Sequence, residues 1–96
     1  MSNEVPVVIY GDEYCADCAA ARMWFTKKGV RFEDILVSRD PDRFEELQAR
    51  SGGRRTVPQV FVGDVHVGGF DDVCSLDKSG ELDKLLAGDS AGRHSH

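Results

Sequence analysis

The strongest constraint on the fold lies in the first third of the chain. An apolar, β-branched run, Val5–Tyr10 (VPVVIY), is followed by a helical pattern from Cys15 to Lys28. A second apolar run, Phe32–Val37, comes next. Strand, helix and strand in that order and at that spacing form a crossover unit. Such a unit joins two parallel strands with a right-handed connection. The punctuation agrees with this reading. Gly11-Asp12 is a turn signal, and Pro6 stands at the start of the strand, where a missing N–H does least harm. Lys27 and Lys28 sit in the last helical turn, and Gly29 is a suitable residue just past its end.

The next segments extend the pattern. Asp40-Pro41 reads as an N-cap followed by proline at the first helical position. The helix that follows turns Phe44 and Leu47 inward and ends near Ser51-Gly52-Gly53. Val57–Val62 and Val65–Val67 flank Gly63-Asp64, the signal of a two-residue hairpin. Asp71–Ser79 and Glu81–Leu86 read as two short helices split by Gly80. Residues 88–96 are small and polar and read as a frayed tail. The expected class is therefore α/β, β-α-β-α-β-β-α, a four-stranded mixed sheet with helices on both faces.

Composition narrows the function. A chain of 96 residues, 41% of them hydrophobic, is one domain with enough apolar material for one core. No run approaches the length of a membrane span, and the first residues carry no basic and apolar leader. A cytoplasmic, reducing location is expected. The net charge of −5 argues against nucleic acid or an anionic membrane as partner.

Against that background the segment Glu13-Tyr14-Cys15-Ala16-Asp17-Cys18-Ala19 stands out. Three cysteines are an odd number, which speaks against a closed disulfide framework. Cys15 falls at a strand-to-helix junction, where unpaired backbone N–H groups and the helix dipole favour an anion. Thiols in such positions are commonly acidified and nucleophilic. Cys18 lies one turn deeper on the same face and is placed to resolve a disulfide formed at Cys15. Zinc, a structural disulfide and an inert packed pair are the competing readings. Zinc normally needs four ligands, and no second Cys-x-x-Cys is present. Asp17 puts a negative charge beside the pair. It opposes thiolate formation and is expected to make the pair more reducing.

Other segments carry candidate supporting roles. Thr56-Val57-Pro58 precedes the third strand, and a cis Pro58 would leave the Val57 backbone free to pair with an extended peptide. Gly68-Gly69-Phe70-Asp71-Asp72 combines close backbone approach with carboxylates, which serve either as helix caps or as ligands for an amino-acid head group. Arg54 and Arg55 offer charge-assisted bonds to a substrate carboxylate, with a solvated loop as the alternative. Cys74 reads as a small, partly buried helix residue. His66 is expected to face solvent, and Met23, Trp24 and Phe25 to be mainly core.

The order of strand, Cys-x-x-Cys helix, "TVP" and "GGFDD" resembles the glutaredoxins, most of all across residues 51–72 and on into "LDKSGELDKLL". The likeness runs from Val5 to Leu86. It implies a thioredoxin-like fold over residues 1–87 with residues 88–96 as a tail. It also implies a monomer acting as a thiol–disulfide oxidoreductase recharged by glutathione. Its partners would be disulfide-bearing or glutathionylated proteins. Cys15 would be the nucleophile and Cys18 the resolving thiol. Tyr14, Thr56, Val57, Pro58, Gly69, Phe70, Asp71 and Asp72 would hold glutathione, with Arg54 or Arg55 at its glycine carboxylate.

The chain departs from the family pattern in three places. Ala16-Asp17 stands where Pro-Tyr is common, Asp12 where lysine is common, and Phe70 where many members have cysteine. The "GF" pair is similar to redoxins of the ribonucleotide reductase type, recharged by thioredoxin reductase, which is the first alternative electron source. The second alternative is a [2Fe-2S] carrier in which two glutathiones complete the ligand set, because Ala16 lacks the ring that would crowd a cluster. No metal bound by the chain's own residues is expected otherwise.

Overall fold

The computed structural model describes residues 5–88. The residues expected to form the tail lie, apart from Gly88, outside this range. The order is β1 (Val7–Gly11), α1 (Ala16–Lys27), β2 (Glu33–Leu36), a single 3-10 turn (Val37–Arg39), α2 (Pro41–Arg50), β3 (Gln59–Val62), β4 (Val65–Gly68), α3 (Phe70–Ser79) and α4 (Glu81–Leu86). The four strands form one sheet in the order β2-β1-β3-β4. β1 and β2 are parallel, as the crossover requires, and the other two pairs are antiparallel. The family resemblance and the residue pattern thus point to the same mixed α/β sheet that is observed.

Both faces of the sheet are buried, which follows from the alternation of side chains along each strand. Val7, Ile9, Val60 and Val62 point to one side and pack with Phe25, Val73, Leu82, Leu85 and Leu86 from α1, α3 and α4. Tyr10, Ile35 and Phe61 point to the other side, where Leu47 of α2 completes the cluster. A one-residue slip in β1 would exchange these two sets, so the packing on both faces fixes the register.

Several local expectations are met in detail. Asp40 caps α2 by accepting the Arg43 N–H, with Pro41 at the first helical position. Gly63 is left-handed (φ +59°) in the two-residue loop that pairs Val62 with Val65. Positive φ at the first loop residue only is the II′ arrangement. Other details differ. β1 begins at Val7 rather than Val5, and Val37 leaves β2 for the 3-10 turn. β3 begins after Pro58, at Gln59, and β4 continues to Gly68 through an irregular step opposite Val60 and Phe61. Met23 is 57% exposed, because it falls on the outer face of α1 while Ala21 and Phe25 take the inner one. Trp24 is partly buried and spends its indole N–H on Asp77, 2.8 Å away. The same carboxylate binds Lys28 at 2.8 Å, so the end of α1 is fastened to α3.

Candidate redox site

The site is built where β1 hands over to α1. Cys15 is the N-cap of α1, with extended backbone (φ −117°, ψ 118°). Its Sγ accepts the Cys18 N–H at 3.1 Å. Sulfur thus occupies the role that a serine or aspartate oxygen usually fills at a helix start. It sits where the free N–H groups and the dipole stabilise negative charge. A second contact comes from across the fold, the Val57 carbonyl at 4.0 Å from Cys15 Sγ.

The two thiols have unequal surroundings. Cys15 is half-buried and reachable, whereas Cys18 is 0% exposed. A cap residue lies at the surface, and three residues later the same helix face has turned under it. Burial pushes the Cys18 thiol up to about 12, with its contact to Cys15 acting in the same direction and Arg22 acting against it. The outer thiol is thus open to a reaction partner, and the inner one is enclosed and held toward its protonated form. Cys74 lies on α3 and is partly buried, and burial pushes its thiol upward, followed by Asp71 and Asp77. It is not part of this pair.

The remaining candidates divide by location. The Val57–Pro58 peptide is cis, and Val57 sits directly under Cys15. A cleft of about 230 Å³ next to it is lined by Asp12, Val37, Ser38, Phe44, Arg55 and Val57. Arg55 is thus at the site, and so is Asp12. Arg54 is exposed and its N–H is used by Ser51 Oγ at 3.1 Å. Tyr14, 93% exposed, stands beside Cys15.

The Gly69–Asp72 segment approaches the same region. A Cβ on Gly69 would stand 3.7 Å from the Pro58 carbonyl. Asp72 caps α3 by accepting the Gly69 N–H at 2.9 Å, while Asp71 is exposed in the same first turn. Phe70 packs edge-on against Trp24, with ring centroids 5.7 Å apart.

Some residues of the site carry no signal in the linear sequence. Gln59 is 1% exposed and donates to Thr56 Oγ1 at 3.1 Å. Its carbonyl oxygen meets His66 Nε2 at 2.7 Å. His66 therefore does not face solvent as expected. It is partly buried, stacked on Phe61 at 4.7 Å, and held toward its neutral form by burial and then by Arg54. The chain His66–Gln59–Thr56 ties the hairpin to the loop under Cys15. Arg22 is the other unforeseen residue, bonded to the Asp12 carbonyl at 2.9 Å and to Asp34 at 3.0 Å.

Comparison with known proteins matches residues 7–67 to the family model described as Glutaredoxin. A glutaredoxin of Pseudomonas aeruginosa is 44% identical over 82 residues, covering 85% of this chain and 96% of the relative. A probable glutaredoxin of Synechocystis is 37% identical over 86 residues, 90% of this chain and 98% of the relative. Among solved structures, a buckwheat glutaredoxin–glutathione complex superimposes with TM-score 0.76 at 32% identity, covering 88% of this chain and 78% of that one. The solution structure of a Brucella melitensis glutaredoxin gives TM-score 0.73 at 45% identity, with 88% and 91% covered. With a dithiol capping α1 and this breadth of likeness, the chain belongs to the glutaredoxin family and is a thiol–disulfide oxidoreductase.

Proposed function

We propose that this oxidoreductase takes its electrons from glutathione and reduces protein disulfides or glutathione mixed disulfides. Cys15 attacks the substrate disulfide and forms a mixed disulfide, and Cys18 or a second glutathione releases the product. The observation that carries the reading is the Cys15 sulfur at the start of α1, taking the Cys18 N–H while the cleft beside it opens between Val57 and Phe44. The fold-level likeness to a glutaredoxin crystallised with glutathione supports the choice of reductant. In this reading Thr56, Val57 and Pro58 align the cysteinyl backbone of glutathione, Arg54 or Arg55 meets its glycine carboxylate, and Tyr14 flanks the bound sulfur. Gly69, Phe70, Asp71 and Asp72 take the γ-glutamyl end, with free N–H groups of α3 available to its carboxylate.

The test is NADPH consumption with a small disulfide substrate, supplied either with glutathione and glutathione reductase or with thioredoxin reductase alone. Turnover in the first mixture only is expected. Turnover in the second only would overturn the glutathione assignment and favour the redoxin-like electron source. Failure of both, with a brown anaerobic preparation, would point to the [2Fe-2S] carrier instead.

Asp17 is exposed in the first turn of α1, between Cys15 and Cys18 in the chain. A redox pair becomes more oxidising when its reduced, thiolate form is stabilised. Asp17→Asn removes an opposing charge, so its reduction potential is expected to be less negative than that of the parent. Equilibration of both proteins against a glutathione redox buffer reads this directly. An unchanged or more negative potential would rule out the role given to Asp17.

A further inference from the structure

Cys18 presents a chemical difficulty. To resolve a mixed disulfide it must lose a proton, yet it is fully enclosed. The surroundings of its sulfur contain one fixed positive charge that the family motif does not explain. Arg22 lies four residues after Cys18, one turn along the same face of α1. Its guanidinium is anchored on two sides, by the Asp12 carbonyl at 2.9 Å and by Asp34 at 3.0 Å, and its side chain is only 21% exposed. Gly11, the last residue of β1, shows how near this group comes to the thiol. A Cβ on Gly11 would stand 3.0 Å from Cys18 Sγ and 3.2 Å from Arg22 Nη2. Thiol and guanidinium therefore converge over one point of the strand, and the missing side chain leaves them that space.

We propose that Arg22 is the positioning residue of the resolving step, a cation held beside Cys18 to stabilise the thiolate that attacks the mixed disulfide. The proposal rests on the assignment of Cys15 as attacking and Cys18 as resolving thiol. In that step Cys18 releases its proton to solvent and its sulfur attacks Cys15 Sγ. The Cys15–substrate S–S bond breaks, the Cys15–Cys18 bond forms, and the substrate leaves as a thiolate that takes up a proton. The dithiol is oxidised by two electrons and the substrate is reduced by two.

Timing follows from the same surroundings. Among the influences on Cys18, those raising its pKa are burial and then the Cys15 sulfur, while the Asp12 backbone and Arg22 lower it. Once Cys15 is tied up in a mixed disulfide it carries no thiolate, so its opposition to a second negative charge ends. Burial then stands against Arg22 and the Asp12 backbone alone. Cys18 thus becomes nucleophilic when the mixed disulfide has formed, and Arg22 sets how readily.

The experiment uses the reduced full chain in a Cys74→Ser background, mixed rapidly with the coloured disulfide of 2-nitro-5-thiobenzoate. The first release of coloured thiolate reports attack by Cys15 and the second reports attack by Cys18. Arg22→Gln keeps amide donors for the Asp12 carbonyl but removes the charge. One to two pKa units of lost stabilisation, partly offset by greater intrinsic nucleophilicity, slow the second release roughly three- to tenfold at pH 7. The pH profile of that release moves upward, the first release is unchanged, and Arg22→Lys restores most of the rate. A second release with unaltered rate and pH profile, or equal slowing of both releases, would overturn the proposal. Absence of a second release in the Arg22 parent, matching a Cys18→Ser control, would instead mean that Cys18 does not resolve.

Discussion

Cys15→Ser is expected to abolish disulfide reduction, a loss on the order of 10³-fold or more, because a hydroxyl at the cap position is a far weaker nucleophile than a thiolate. Cys18→Ser is expected to behave differently with different substrates. The cap bond to Cys15 comes from the backbone N–H of residue 18, which serine keeps. On the proposed mechanism attack by Cys15 is therefore preserved, and a glutathione mixed disulfide, released by a second glutathione, is expected to be turned over within about a factor of a few of the parent. On the same mechanism a protein disulfide would depend on intramolecular release by Cys18, where the effective concentration of the neighbouring thiol is large. There the loss is on the order of 10²-fold. Steady-state rates of the two variants on a glutathionylated peptide and on a protein disulfide measure the split. Equal loss on both substrates in Cys18→Ser would refute the division of labour, as would residual turnover in Cys15→Ser.

Gly68→Ala is expected to produce the largest structural effect of a single methyl group. Gly68 closes β4 with φ +114°, a conformation that residues with a side chain rarely adopt. A Cβ there would stand 2.3 Å from Asp72 Oδ2, the oxygen that accepts the Gly69 N–H and caps α3. Alanine must therefore distort the turn or expel the cap, and the combined cost is roughly 2–4 kcal/mol. Because the Gly69–Asp72 segment lies against the Pro58 carbonyl, the distortion reaches the thiol site as well. Urea unfolding gives the stability term, and the Michaelis constant for glutathione gives the functional one. A midpoint within experimental error of the parent would show that the turn can be remade around a side chain. Gly69→Ala is the control, since its Cβ meets only ordinary van der Waals distance.

The thiol pair, the caps and the order of elements were legible because they depend on neighbours in the chain. Asp40-Pro41 starts α2 through contacts made within three residues, and Gly63 turns the hairpin through its own backbone freedom. Cys15 is readable as an N-cap because a helical pattern begins at the next residue. Met23 and His66 were misplaced for the opposite reason. Whether Met23 meets core or solvent depends on which face of α1 lies against the sheet. The burial of His66 depends on Phe61 beneath it and on Gln59, which reaches it from the adjoining strand.

Local chemistry in the sequence thus determined the crossover, the two-sided sheet and the dithiol at a helix start. These follow from periodicity, capping and turn propensity, which act over a few residues. Only the tertiary structure decided which thiol is reachable and which is enclosed. It alone brought Val57 under Cys15, set Arg22 and Gly11 around Cys18, and closed the His66–Gln59–Thr56 chain. Each of these depends on burial or on a charge brought near through space, and the packing of the helices and loops against the sheet creates both.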